Sequence, residues 1–170
     1  CFPKDTKAIT TTADKFKISL SVIKSVIKSN ESRNLLLLKR VYGMFKGNLK
    51  NKKICFLGVT FKANTDDMRD SPCLSMIPSL VKKGAKINYY DPTGKKNEFK
   101  NMKNVFFSND IKLAIKNADI VIIHTEWNDF KFINFKKEVI NKKFILFDMR
   151  NIYSPSKMKT LKIKYFGVGR

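Results

Sequence analysis

The chain has 170 residues, 43% hydrophobic and 12% aromatic, with a formal net charge of +21. That is enough apolar matter for one sizeable core plus an appendage, and it excludes wholesale disorder. No apolar run approaches the ~20 residues of a bilayer span. The start, CFPKDTKAIT, has no apolar signal-peptide core, so a cytoplasmic location is the default expectation.

Nearly all the cations are lysine; arginine stands only at 33, 40, 69, 150 and 170. The lysines are spread along the chain among abundant Asn, Ile and Phe, all residues with A/T-rich codons. Compositional drift therefore outweighs a nucleic-acid partner as the reason for the charge. Cys1, Cys55 and Cys73 show no CxxC spacing, which argues against zinc and against a disulfide scaffold.

In chain order, Cys1–Ile9 reads as a loop entering a helix, with Pro3 in the first turn. Cys1 and Asp5 share a helical face, with Lys4 beside them. A thiol at a helix start near a cation is more easily ionised, and a carboxylate on the same face suits activation of a water. From spacing alone, an ordinary helix start with a stray cysteine is the favoured reading. Thr10–Thr12 is expected to interrupt the helix. A long helical signal then runs from Phe16 to Phe45 through Val22, Val26, Leu35–Leu38 and Val41. At ~1.5 Å per residue it would be ~40 Å long, the proportions of a packing spine or dimer interface. Gly47-Asn48 ends it.

From Lys53 the period alternates. Strands are expected at Ile54–Val59, Lys86–Tyr90, Val105–Phe107, Asp119–His124, Lys143–Phe147 and, at an edge, Lys164–Gly167. Helices are expected at Ser71–Lys83, where Pro78 predicts a kink or early stop, at Asn109–Asn117 and at Phe135–Ile140. Such alternation means an α/β fold: a Rossmann-like, doubly wound, mostly parallel sheet preceded by a long helical segment. The expected division is 1–49, helical, and 50–170, α/β.

Polar groups gather where strands end: Gly58–Pro72 (GVTFKANTDDMRDSP), His124–Trp127 and Asp148–Asn151. In a parallel sheet these share one edge, where ligands bind. Lys62 and Arg69 flank the first of these turns and suit a phosphate or diphosphate near a helix N-terminus. A solvated Lys62 and an Arg69 paired with Asp66, Asp67 or Asp70 is an equally good reading. The turn has no GxGxxG, so the dinucleotide fingerprint fails there. Cys55 reads as core, Cys73 as filler, His124 as a locally hydrogen-bonded histidine, and Trp127 as packing on or capping the site.

Cys1–Ala8 resembles the catalytic-cysteine motif of the UDP-glucose/GDP-mannose dehydrogenase family. Gly58–Pro72 resembles that family's GxxFKxxTDDxRxSP segment. Tyr90-Asp91-Pro92, Thr125-Glu126-Trp127, Asp148–Asn151 and Phe166–Arg170 match its later landmarks in order, and Asn64–Asp70 is most similar to the UDP-glucose 6-dehydrogenase branch. The resemblance implies oxidation of the C6 hydroxyl of UDP-glucose to a carboxylate, with NAD as cofactor. It implies Cys1 as the nucleophile carrying a thiohemiacetal and then a thioester, and Asp5 as activator of the hydrolytic water. Lys4 and Arg69 would touch NAD; Lys62 and, more weakly, Arg150 would touch the UDP-sugar. Met149 stands where the family usually has Gly.

The long helix is expected to make a homodimer. The resemblance makes 50–170 the UDP-sugar-binding domain of a longer enzyme whose NAD domain lies upstream, and 1–170 inactive alone. A related GDP-mannose or UDP-acetylhexosamine enzyme, or a non-catalytic nucleotide-sugar-binding or dimerising module, is the alternative.

Overall fold

The structure is a computed structural model and describes residues 2–169. Cys1, the expected nucleophile, lies outside the described residues. The chain divides into two compact units, Cys1–Asn48 and Leu49–Arg170.

The first unit holds α1 (Phe2–Lys15) and α2 (Ser21–Met44), which pack on one another. The threonines do not interrupt α1. The Thr6, Thr10 and Thr11 hydroxyls donate to carbonyls three or four residues back, so their hydrogen-bonding capacity is spent inside the helix. The break comes instead at 16–20. There the Phe16 and Ile18 amides both turn back onto the Ala13 carbonyl, and Lys17 takes a left-handed φ of 54°. Ion pairs Lys24–Asp14 (2.6 Å) and Lys7–Glu31 (3.8 Å) tie the two helices together. At the far end of α2, Gly47 at φ 80° gives its amide to the Tyr42 carbonyl. Leu37, Leu38 and Val41 are buried, whereas Val22, Leu35 and Leu36 are exposed.

The second unit is a six-stranded sheet in the order β3-β2-β1-β4-β5-β6, with every pair parallel. The strands are β1 (Lys53–Leu57), β2 (Lys86–Tyr90), β3 (Val105–Phe107), β4 (Ile120–Ile123), β5 (Ile145–Asp148) and β6 (Lys164–Gly167). Apart from Lys53 and Asp148 at their ends, the central strands β1, β4 and β5 are apolar, because both faces are covered. One face presents Cys55, Leu57, Val121, Ile123 and Leu146 to a cluster with Ile115, Phe130, Phe135, Val139, Tyr153 and Met158. The helices are α3 (Cys73–Lys82), α4 (Ile111–Ile115), α5 (Phe135–Glu138) and α6 (Pro155–Thr160).

Pro78 neither stops nor truncates α3, which runs on to Lys82. Its ring lies on the partly exposed side, while Met76, Ile77 and Leu80 hold the buried side. No helix was expected between the last two strands, yet α6 forms there. Pro155 occupies its first turn, where a missing N–H is no loss, and Met158 plugs into the core.

Candidate functional site

Strand order reverses between β1 and β4. One crossover from β1 leads to β2 and the next route leads back to β4, so the two chains leaving these neighbours diverge and open a crevice at their carboxyl ends. The turns that line it are Gly58–Pro72 and His124–Trp127. They approach so closely that a Cβ on Gly58 would lie 2.5 Å from the Thr125 Cβ. With φ at 75° as well, only glycine fits.

The root of the first turn is held by groups from three other strands. Gly58 donates its amide to the Tyr90 carbonyl (2.8 Å). Asp91, at the end of β2 and 1% exposed, accepts from the amides of Val59 (2.8 Å) and Thr60 (3.3 Å). Its second oxygen accepts from the Thr93 amide and hydroxyl and lies 3.8 Å from the buried Lys96 ammonium. From β4, the Thr125 hydroxyl donates to the Thr60 carbonyl (2.8 Å) and meets His124 Nδ1 at 3.0 Å. From beyond β5, Arg150 donates Nε to the His124 carbonyl (2.6 Å) and Nη2 to the Phe61 carbonyl (3.2 Å). Glu126 Oε2 sits 3.0 Å from that Nε, but its single proton is committed to His124, so this contact is an ion pair without a hydrogen bond. Asp148 fixes the base of Arg150 by accepting its amide.

Burial, reinforced by the Arg150 charge, lowers the His124 pKa to about 3, so the ring is neutral at ordinary pH. Its Nε2 and the Trp127 Nε1, both buried, have no hydrogen-bond partner among the described residues. Burial pushes the Cys73 and Cys55 thiols well up, which makes both inert.

The outer half of the turn is built differently. Lys62 is exposed. Arg69 forks onto Asp67, with Nε 3.0 Å from Oδ1 and Nη2 2.8 Å from Oδ2, and its amide takes Oδ1 too. These bonds, with a smaller push from Lys62, lower the Asp67 pKa to about 2. Asn64 and Asp70 take left-handed φ values of 61° and 58°, a region their short polar side chains tolerate.

Of the expected site residues, Lys62, Arg69 and Arg150 belong to this edge, and Arg150 reaches the carbonyl next to Lys62. Lys4 and Asp5 belong to the first unit, where they form an exposed ion pair at 3.2 Å. Two expectations change. The amides opening α3 do not await an anion, because Cys73, Leu74 and Ser75 donate to Ser71 and Pro72. Arg150 is a clamp on two backbone carbonyls more than a free cation. Sequence reasoning gave Thr60 no role, and named Asp91 and Thr125 only as family landmarks and Ser71 only as a helix start. Asp91 alone carried a signal, an acid directly after a strand and before proline.

The residues present do not fit NAD in the manner of a dinucleotide fold. The amides that would receive its pyrophosphate are filled by Asp91, Ser71 and Pro72, and the turn has one glycine. What remains at the crevice is a pair of exposed cations on a rigid root, suited to anionic oxygens reached by side chains.

Among known proteins, residues 55–155 match the model of the UDP-glucose/GDP-mannose dehydrogenase family, UDP binding domain. The chain is 38% identical over 173 residues to the UDP-glucose 6-dehydrogenase of Rickettsia prowazekii, covering 99% of this chain and 40% of that protein. Against the Rhizobium meliloti enzyme of the same name the identity is 34%, covering 100% and 39%. The structure of a UDP-glucose dehydrogenase from Pyrobaculum islandicum superposes with a TM-score of 0.80 at 25% identity, covering 99% of this chain and 37% of that one. The chain thus spans about 40% of the length of the curated relatives it matches. With the match running from β1 through the crevice turns to the start of α6, the chain belongs to the UDP-glucose/GDP-mannose dehydrogenase family and carries its UDP binding domain.

Proposed function

We propose that the crevice between β1 and β4 binds a UDP-sugar, and that the chain is the UDP-sugar-binding part of an NAD-dependent UDP-glucose 6-dehydrogenase. The observation that carries the reading is the position of Lys62. It stands exposed on a turn whose root is locked by Asp91, Thr125 and Arg150 at the point where strand order reverses. A cation on a rigid base meets a diphosphate without first being ordered, which lowers the cost of binding. Arg150 acts chiefly by holding Phe61 and so positioning Lys62; it is the weaker direct contact. Arg69 and Lys4 are the cations proposed to face the NAD of the reaction, which this sheet does not cradle.

The chemistry proposed for the enzyme is oxidation of UDP-glucose at C6 to the carboxylate, with Cys1 holding the sugar as a thiohemiacetal and then a thioester. Asp5 would activate the water that releases it. Residues 1–170 alone are expected to show no turnover. A homodimer through α2 is part of the same reading, supported by the exposed Val22, Leu35 and Leu36.

Calorimetric titration with UDP and UDP-glucose tests the proposal. Binding is expected to weaken at least tenfold in Lys62→Ala, with the melting temperature unchanged. No heat at millimolar nucleotide, or full affinity in the variant, would remove it.

A further inference from the structure

Away from the crevice, a cleft of about 350 Å³ opens between the segment 131–136 and α6. Its floor is apolar: Phe135, Met158 and Ile163 are core residues that also line it. Its rim is cationic, with Lys131, Lys136 and Lys157 all exposed. At the same rim Phe132 is 85% exposed, more than any other large apolar side chain described as exposed. From Lys131 to Gly169 the only acids are Glu138, half-buried on α5, and Asp148, fully buried and bonded to Arg150, Tyr153 and Tyr165. Lys142 turns its ammonium inward onto the Lys136 and Val139 carbonyls, and Lys131 reaches Asn128. Lys136 and Lys157 form no ion pair among the described residues.

We propose that this cleft is a docking groove for an acidic segment of a partner protein. One apolar side chain of that segment sits on Phe135, Met158 and Ile163, Phe132 closes over it, and flanking carboxylates meet Lys131, Lys136 and Lys157. The shape selects this occupant. A bilayer is flat and leaves a concave floor unfilled, while nucleic acid gains from arginine forks and stacked aromatics, and the rim has only lysines and one ring. A peptide with an apolar anchor and charged flanks uses both floor and rim.

The test measures anisotropy of a short fluorescein-labelled glutamate peptide carrying a phenylalanine and a leucine one helical turn apart, against an all-glutamate peptide of equal length. The whole chain is used. The anchored peptide is expected to bind at least tenfold tighter than the all-glutamate one. The triple reversal Lys131→Glu, Lys136→Glu, Lys157→Glu is expected to cost at least tenfold, and Phe132→Ser about fivefold, with circular dichroism unchanged. A control triple reversal on the exposed Lys82, Lys83 and Lys112, which changes net charge equally, is expected to cost less than threefold. Equal affinity for both peptides, or equal loss in the control, overturns the groove. So does tighter, Phe132-dependent binding to phosphatidylserine vesicles or to a DNA duplex.

Discussion

The turn after β1 is two structures in one. Its root, Gly58–Phe61, is buried or half-buried and held by partners that lie far away in the chain: Tyr90, Asp91, Thr125 and Arg150. Its tip, Lys62–Asp70, is mostly exposed and held by bonds spanning two residues, such as Asp67 to Arg69 and Thr65 to Asp67. A buried bond that fails leaves an unpaired polar group in a dry site, whereas an exposed one is replaced by water. The root should therefore answer to stability measurements and the tip to binding measurements.

The sharpest way to break that division is Asp91→Ala. It strips the Val59 and Thr60 amides and leaves Lys96 buried without its carboxylate. A loss of about 3–5 kcal/mol is expected in urea unfolding; a loss under ~1 kcal/mol would mean that the root is not held from β2. Gly58→Ala comes next. The new methyl meets Thr125 in a backbone region costly for any side chain, so about 2–3 kcal/mol is expected. A Thr125→Ser background should leave that loss unchanged, because the atoms the new methyl meets, the Thr125 Cβ and Oγ1, remain in serine.

The remaining effects depend on pH. His124 titrates near 3 when folded, against 6.5 ordinarily. The unfolded chain therefore takes the proton first, and stability falls as pH drops from 6.5 toward 3, by up to about 1.4 kcal/mol per unit. His124→Gln should flatten that slope. Asp67 also has a lowered pKa, so its contribution is present above 3.8 and lost as pH falls through about 2. Because it is partly exposed and its bonds to Arg69 are screened by water, Asp67→Asn is expected to lower the pH 7 melting temperature only slightly.

Much of this was legible in the residues. Apolar runs ending in polar clusters placed β1, β4 and β5 and their shared edge, because a strand buried on both faces leaves a continuous hydrophobic trace. The motif order from Gly58 to Asn151 pointed to the family. The Thr10–Thr12 stretch misled, since a threonine hydroxyl that bonds back within a helix looks in sequence like one that breaks it. The roles of Thr125 and Arg150 were illegible for another reason. Each acts on a backbone carbonyl more than sixty residues away, and nothing local marks a carbonyl as needing a donor.

Asp91 also has a consequence for selectivity. The sheet has the strand order of a dinucleotide fold, so the slot after β1 would ordinarily accept any abundant pyrophosphate. Here the protein supplies its own anion: a carboxylate from the neighbouring strand acts as a permanent surrogate for the phosphate oxygen. A nucleotide arriving at this edge would have to compete with a tethered ligand for those amides.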